Sequence, residues 1–213
     1  AGFALVSLLI INILAFTVAY LLTKGIKGSN IFRTVFFMPN LIGGIVLGYI
    51  WSMIFDGILS RYNTSILLNS TYGFWGLIIL MAWQQIGYMM IIYIAGLQAV
   101  PGDMLEAAKI DGASEWKTLW DIIIPNVMPS ITICTFLTLT NSFKLYDQNL
   151  ALTNGRPYNG AIHTTEMLAL NIVNSNTLKT KGVGQAKAVM FFVLVAIIGI
   201  FQMKSTHDKE VQQ

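Results

Sequence analysis

Five runs of about 20 mostly apolar residues divide this sequence, the length a helix needs to cross a hydrocarbon layer about 30 Å thick. They lie at about residues 2–22, 35–55, 74–100, 129–149 and 186–203. Open strand edges cannot sit in hydrocarbon, so the runs read as helices. The expected fold is an all-α membrane protein with five transmembrane helices. Composition points the same way: hydrophobic residues make up 55% and charged residues 11% of the 213 positions, and mean hydropathy is +0.65. A soluble domain carries about 25% charged residues, so this chain cannot coat a water-facing globule. The same balance excludes intrinsic disorder. The net charge of +3, from 13 basic and 10 acidic residues, is too even for a nucleic-acid binder. One cysteine, Cys134, cannot close an internal disulfide, and with only His163 and His207 beside it no metal site is expected.

Orientation follows from lysine and arginine in short loops. Residues 23–34 hold Lys24, Lys27 and Arg33, whereas residues 56–73 hold only Arg61. The first loop is therefore expected inside, and alternation places residues 101–128 and the tail 204–213 inside as well. Arg156, Lys179 and Lys181 then fall outside, in a long loop where the rule is weak. Residues 1–203 read as one transmembrane domain and 204–213 as a cytoplasmic tail. The first apolar run is too long and too poor in basic residues for a secretory signal. Because Ala1 already lies within that run, the expectation is a shortened chain lacking an earlier span.

The inner loop 101–128 is the informative segment. It reads as two short helices joined by a turn. Asp103 is expected to cap the first, with Glu106 three residues on completing a capping-box pair. Ala107 and Ala108 permit close approach by another surface, and Gly112 ends the helix. Ser114 is expected to cap the second helix, whose Trp116, Leu119, Trp120 and Ile123 share a face. Pro125 would stop it, and Pro129 would open the next crossing. The loop carries five acidic residues (Asp103, Glu106, Asp111, Glu115, Asp121) against two basic ones (Lys109, Lys117). Anionic headgroups repel such a segment, and helices that lie on membranes are usually basic. A protein partner accounts for it better.

These residues resemble a known family. Glu106-Ala107-Ala108, then Gly112, then Ile122-x-Ile124-Pro125 is similar to the EAA loop of binding-protein-dependent importer permeases driven by ATP-binding cassettes, which end Ile-x-Leu-Pro. The run Ala95-Gly-Leu-Gln-Ala-Val-Pro101, the run Phe32-Arg-Thr-Val-Phe-Phe-Met-Pro39, and Leu152-Thr-Asn-Gly-Arg-Pro157 with Thr165-Glu-Met-Leu-Ala-Leu170 resemble the carbohydrate branch, relatives of maltose and glycerol-phosphate permeases. Arg156 stands where a glycine is common. The resemblance runs from the first span to the fifth and implies the five-helix core of the type I importer permease, without the branch's additional N-terminal helix. It further implies a multi-pass protein of the bacterial cell membrane that is a transport subunit and not an enzyme. Glu106, Ala107, Ala108 and Gly112 would form the turn that docks on a cytoplasmic ATP-binding subunit, with Trp116, Trp120 and Pro125 in support. A second related permease, in a heterodimer, and an extracytoplasmic solute-binding protein are the other implied partners. No Gly-x4-Gly-Lys-Ser/Thr phosphate cradle occurs in the sequence. The chain is expected to bind no cofactor itself, with ATP on the partner subunit.

Polar residues inside the spans are the candidates for a solute path. Gln84 and Gln85 sit mid-membrane, where polar groups usually face a bundle interior; lining the path and bonding neighbouring helices both remain open. Asn141 and Lys144, with Tyr146 and Asp147, lie near the outer end of the fourth span. Lys144 and Asp147 at i, i+3 favour a local ion pair over solute contact. Gly44-x3-Gly48 reads as a packing motif. The competing function is a secondary transporter independent of ATP, which would carry inverted repeats or intramembrane ionisable pairs. Neither is visible. Enzyme signatures such as His-Glu-x-x-His and Gly-x-Ser-x-Gly are likewise missing from the sequence.

Overall fold

The computed structural model describes residues 2–159, 162–163, 165–177 and 181–210. The side chains of His163 and of tail residues 202–210, His207 included, lie outside the described residues, as does the end of the tail, 211–213. Among the described residues the regular structure is helical apart from a two-residue antiparallel pair, β1 (Tyr158–Asn159) with β2 (Ile162–His163).

The centre of the bundle is α4 (Ser70–Gln98), started by Asn69, whose Oδ1 accepts from the Thr71 amide at 2.8 Å. Two-thirds of its apolar stretch (67%) is buried, against 28% for α1 (Gly2–Thr23), which makes α4 the helix the others pack around. Leu77, Leu80, Met81, Met89, Met90 and Tyr93 supply its buried surface. On α1 the buried residues Ser7, Ile11, Ala15 and Ala19 recur every four positions and form one face. Alanine at two of those four places lets the α1 backbone lie close to α4.

The second run does not form the single helix its hydropathy suggests. Helix α2 (Ser29–Phe37) continues into a 3-10 turn (Met38–Leu41), and α3 (Gly44–Leu59) leaves at 102° to that direction. Pro39 in the turn has no amide to donate and restricts the residue before it. Ile42 and Gly43 are then extended, at ψ 133° and 140°. The break is a correction to the expected span 35–55. Backbone groups released at a break inside a membrane need partners, and Gln84 supplies one: its Nε2 donates to the Ile42 carbonyl at 3.3 Å.

Two glycines set how closely the broken span lies on the rest. A Cβ on Gly87 of α4 would stand 1.9 Å from the Phe36 carbonyl oxygen and 2.7 Å from Phe37 Cα, so the end of α2 crosses α4 in backbone contact. A Cβ on Gly48 would fall 2.5 Å from Ala151 Cβ on α8 (Asp147–Leu152). The Gly44-x3-Gly48 pattern is thus a packing surface for α8.

The fourth crossing begins and ends earlier than residues 129–149. After α5 (Gly102–Ile110), helix α6 (Glu115–Thr118) runs through a π-helical turn (Leu119–Ile123) into α7 (Ile124–Phe143), one continuous helix from Glu115 to Phe143 whose first turns belong to the loop outside the crossing. Pro125 does not stop it. The π turn changes the register, the Ile124 amide bonding Leu119 O, and Pro125 falls in the first turn of α7, where a missing amide costs little. Pro129 lies inside α7 instead of opening it. The hydroxyls of Thr132 and Thr135 bond back to the carbonyls of Met128 (3.1 Å) and Ile131 (2.7 Å), so this polar helix satisfies them internally.

Helix α9 (Leu168–Thr177) leads to the last helix, α10 (Lys181–Glu210), which packs on α9 and α7 and leaves Val189, Phe192 and Ile200 exposed. Buried Asn149 fixes the loop before α9. Its Nδ2 donates to Thr153 Oγ1 and the Thr165 carbonyl, both at 2.9 Å, and its Oδ1 accepts from the Met167 amide at 2.9 Å. In the Leu152–Pro157 stretch, Asn154 (φ 48°) and Gly155 (φ 75°) carry the left-handed turn. Arg156 therefore needs no glycine-like conformation there.

Gly87→Ala should destabilise the protein by about 1–3 kcal/mol or more, because backbone, not a flexible side chain, blocks the new methyl. Thermal unfolding of the detergent-purified protein measures this; a Tm equal to the parent's would show that α2 yields freely.

Candidate functional site

The loop between α4 and α7 is ordered by local chemistry. Pro101, not Asp103, occupies the position before α5, and no side chain caps that helix. Proline's fixed φ starts the helix at Gly102, so Asp103 lies inside the first turn, where its charge meets the helix dipole. Glu106 closes no capping box and is exposed. The C-terminal end follows the sequence reading closely. Gly112 has φ +72°, the Ala113 amide bonds Ala108 O at 2.9 Å, and the Gly112 amide bonds Lys109 O at 3.2 Å. That pair of bonds is the Schellman closure. Ser114 then caps α6, accepting from the Lys117 amide at 3.3 Å.

The result is a rigid knuckle. Ala108 is buried beneath it, while Glu106, Ala107 and Ile110 stand out, Ile110 with 86% of its surface exposed. A cleft of about 660 Å³ opens on the inner side of the turn, lined by Met104, Ala107, Asp111, Gly112, Lys117 and Asp121 among others. Trp116 and Trp120 do not line it. They meet edge to face at 5.8 Å on the opposite side, over a groove against α1. Pro125 is half-buried in the span below. The knuckle is tied to the end of α1 by Lys24, whose ammonium donates to Glu115 Oε2 at 2.6 Å and lies 4.8 Å from the centre of the Tyr20 ring. The Glu115 hydrogen bond holds Lys24 above its ordinary value, and Lys24 holds Glu115 below the usual carboxylate range.

Of the candidate path residues, the structure brings Gln85 and Asn141 together and leaves Gln84 and Lys144 apart from them. Gln85, buried in α4, accepts at Oε1 from Asn141 Nδ2 of α7 at 3.3 Å. Gln84 is occupied at both ends, its Nε2 by the Ile42 carbonyl and its Oε1 by Gln148 Nε2 at 2.7 Å. Lys144 is exposed just past the end of α7 and forms no ion pair with Asp147, because the helix ends between them. Gln148 is not legible as a site residue: it stands at the very end of the expected span 129–149, and only the end of α7 at Phe143 turns it back toward α4. Among the described residues no group of three or more His, Cys, Asp or Glu side chains is placed to hold a metal ion.

Residues 4–204 match the family described as "Binding-protein-dependent transport system inner membrane component". The chain belongs to that family. It is an inner-membrane, multi-pass permease subunit, a transport component and not an enzyme, that works with a solute-binding protein. Its sequence is 42% identical to the probable starch degradation products transport system permease protein AmyD of Thermoanaerobacterium thermosulfurigenes, over 100% of this chain and 74% of that one. It is 29% identical to the trehalose/maltose transport system permease protein MalF of Thermococcus litoralis, over 95% of this chain and 71% of the relative. The fold is similar to that of a bacterial ABC transporter that imports the acidic polysaccharide alginate, with a TM-score of 0.80 at 16% identity, covering 97% of this chain and 76% of that one.

For the permease, the Lys24–Glu115 pair is the one charged tie between the first span and the knuckle, and its pH dependence has a definite sign. Glu115, lowered from 4.5, contributes above that value and stops as pH falls through its depressed pKa; Lys24, raised from 10.5, contributes below that value and stops as pH rises through its raised one. The Tm difference between the parent and Lys24→Gln should therefore stay constant from about pH 5 to pH 9 and shrink in stronger acid. The exchanged pair Lys24→Glu with Glu115→Lys should recover what either reversal alone loses. A difference that widened on acidification would assign the loss to something other than this pair.

Proposed function

We propose that this permease forms part of the translocation path of an ATP-driven carbohydrate importer. The solute-binding protein delivers the sugar on the outside, and the knuckle docks on a separate cytoplasmic ATP-binding subunit that binds the ATP. A second, related permease completes the path as a heterodimer. The observation that carries this reading is the closed turn at Gly112, which presents Glu106 and Ala107 on a rigid, solvent-facing surface. The sequence has no phosphate cradle of its own, so energy must arrive through a contact, and the knuckle is the ordered element placed to receive one. Relatives named for starch degradation products and for trehalose/maltose support a sugar as cargo, and a related alginate transporter has been seen in complex with its periplasmic protein.

Docking needs shape more than charge. The knuckle offers small residues, an open cleft and the exposed Ile110, the kind of surface that fits a groove. Trp116 and Trp120 lie in this reading behind the docking turn, along the groove that faces α1. In the path itself, Gln85 and Asn141 are better placed than Gln84. Gln85 Nε2 and Asn141 Oδ1 make no hydrogen bond among the described residues, so together they offer one donor and one acceptor to sugar hydroxyls, while Gln84 is consumed in holding the break at Ile42.

Glu106→Lys and Gly112→Val should each lower solute uptake by about tenfold or more while the protein still inserts, tenfold being about 1.4 kcal/mol of lost coupling. Valine at φ +72° also costs roughly 1–2 kcal/mol locally. Uptake by membrane vesicles, alongside cysteine crosslinking from Ala107→Cys to the ATP-binding subunit, decides the matter; normal uptake by both variants sinks the docking role. For the path, Asn141→Leu should raise the apparent KM for transport several-fold as well as lowering Tm through the lost Gln85 contact, whereas Gln84→Leu should lower Tm by stranding the Ile42 carbonyl and leave KM unchanged. An unchanged KM in Asn141→Leu would remove that residue from the path.

A further inference from the structure

Behind the knuckle, on the side away from the docking turn, lies a groove of about 560 Å³ between α1 and the α6–α7 span. Ile13, Phe16 and Tyr20 form one wall; Trp116, Trp120 and Ile124 form the other. Its lining is almost wholly apolar, and the polar side chains of its floor, Asn12, Thr17 and Tyr93, are already paired. At the deep end Tyr93 donates to Asn12 Oδ1 at 2.7 Å, while Asn12 Nδ2 bonds the Leu8 carbonyl and Thr138 Oγ1. Thr17 bonds back to Ile13 O at 2.7 Å. Such a floor offers nothing to a sugar hydroxyl and accepts hydrocarbon. From Ile13 to Tyr20 the groove runs about 10 Å along the helix. One turn beyond Tyr20, at the mouth, stands the Lys24–Glu115 pair, exposed on both sides and carrying one charge of each sign.

We propose that this groove holds one acyl chain of an inner-leaflet phospholipid with a phosphoethanolamine headgroup. The proposal rests on the cytoplasmic placement of the knuckle given above. The phosphate lies against Lys24, whose ammonium has donors beyond the one given to Glu115, and the lipid ammonium lies against the second oxygen of Glu115. A mouth of paired opposite charges matches a zwitterionic headgroup, and a purely anionic one would meet the Glu115 carboxylate. Trp116, Trp120 and Tyr20 stand at the depth where amphipathic rings favour the interface between headgroups and chains. The lipid then becomes part of the wall between α1 and the knuckle, so headgroup composition bears on how firmly the knuckle is seated.

The test is tryptophan quenching by brominated lipids, with the importer reconstituted in phosphatidylglycerol vesicles that contain an equal mole fraction of brominated phosphatidylethanolamine or brominated phosphatidylglycerol. The Trp116 and Trp120 contribution is the difference between the parent and Trp116→Phe/Trp120→Phe, with Trp120→Phe alone as a substitute where the double variant does not fold. The expected result is about two- to threefold stronger quenching of that contribution by the ethanolamine lipid, the scale of exposed ionic contacts. Lys24→Gln/Glu115→Gln should abolish the preference. Equal quenching by both lipids would mean ordinary boundary lipid and overturn the proposal. No quenching by either would mean that a helix of the partner permease or a second copy fills the groove, which overturns it equally. Uptake is measured in the same vesicles: active transport without headgroup preference fails the lipid site alone, whereas a preference without ATP-dependent uptake fails the importer reading alone.

Discussion

Inside hydrocarbon a backbone carbonyl that leaves its helix cannot turn to water, and most departures of this chain from five straight rods follow from how such groups are satisfied. The second span breaks at Ile42 and Gly43 because Pro39 and an extended pair follow α2. That break is tolerable only because α4 brings Gln84 against it. Gln84 in turn needs Gln148, which reaches it because α7 ends at Phe143 and α8 folds back. The break, the glutamine and the early end of the fourth span form one arrangement. Removing any one leaves a buried polar group without a partner.

Close packing provides the second half of that arrangement. Lipid tails are as apolar as leucine, so helices in a membrane associate through surface fit and backbone approach. Gly87 lets the end of α2 touch α4, Gly48 lets α8 touch α3, and a Cβ on Gly96 would stand 2.3 Å from Ser130 Oγ on α7. Each glycine lies where a polar or broken segment must come near another backbone. The short α2 has no buried residue of its own, and without Gly87 it would lose its seat.

Much of this was legible in the sequence, and the misses share a cause. Apolar length alone marks the spans, and Gly112 and Ser114 mark the turn and the cap, because left-handed φ and an N-terminal hydroxyl are local demands. Gly44-x3-Gly48 reads correctly as packing for the same reason. The misjudged positions are those where a proline's effect depends on its surroundings. Pro125 reads as a stop, yet the π turn before it absorbs its missing amide; Pro129 reads as a start, yet it lies within the helix. Pro39 was counted inside one span and instead divides two. Asp103 and Glu106 match a capping pattern, but Pro101 sets the helix start two residues earlier. The two tryptophans share a helical face as expected, though only the tertiary structure shows that this face turns to α1 and not to the cleft. Gln148 and Asn149 carry no pattern at all, since their roles depend on a fold-back that no periodicity announces.

The same contacts decide which parts move together when the knuckle is displaced. No flexible joint separates it from the membrane, since α6, the π turn and α7 are one continuous helix. α1 is bound to that helix at three heights: Ser7 to Ser142 at 3.0 Å, Asn12 to Thr138 at 3.3 Å, and Lys24 to Glu115 at 2.6 Å. A side-chain hydroxyl or amide pair in a membrane resists sliding because the alternative is an unsatisfied group. α1, α7 and the knuckle therefore form one stiff unit. The broken span is held differently: at the break by the long bond from Gln84 to Ile42, and along α3 by Asp56, which accepts from the Ile66 amide at 3.1 Å, and by Trp51 against Trp83. On the proposed docking role, α1 and α7 would move with the knuckle as one body, and Ile42 and Gly43, where the backbone already departs from the helix, are the weaker joint.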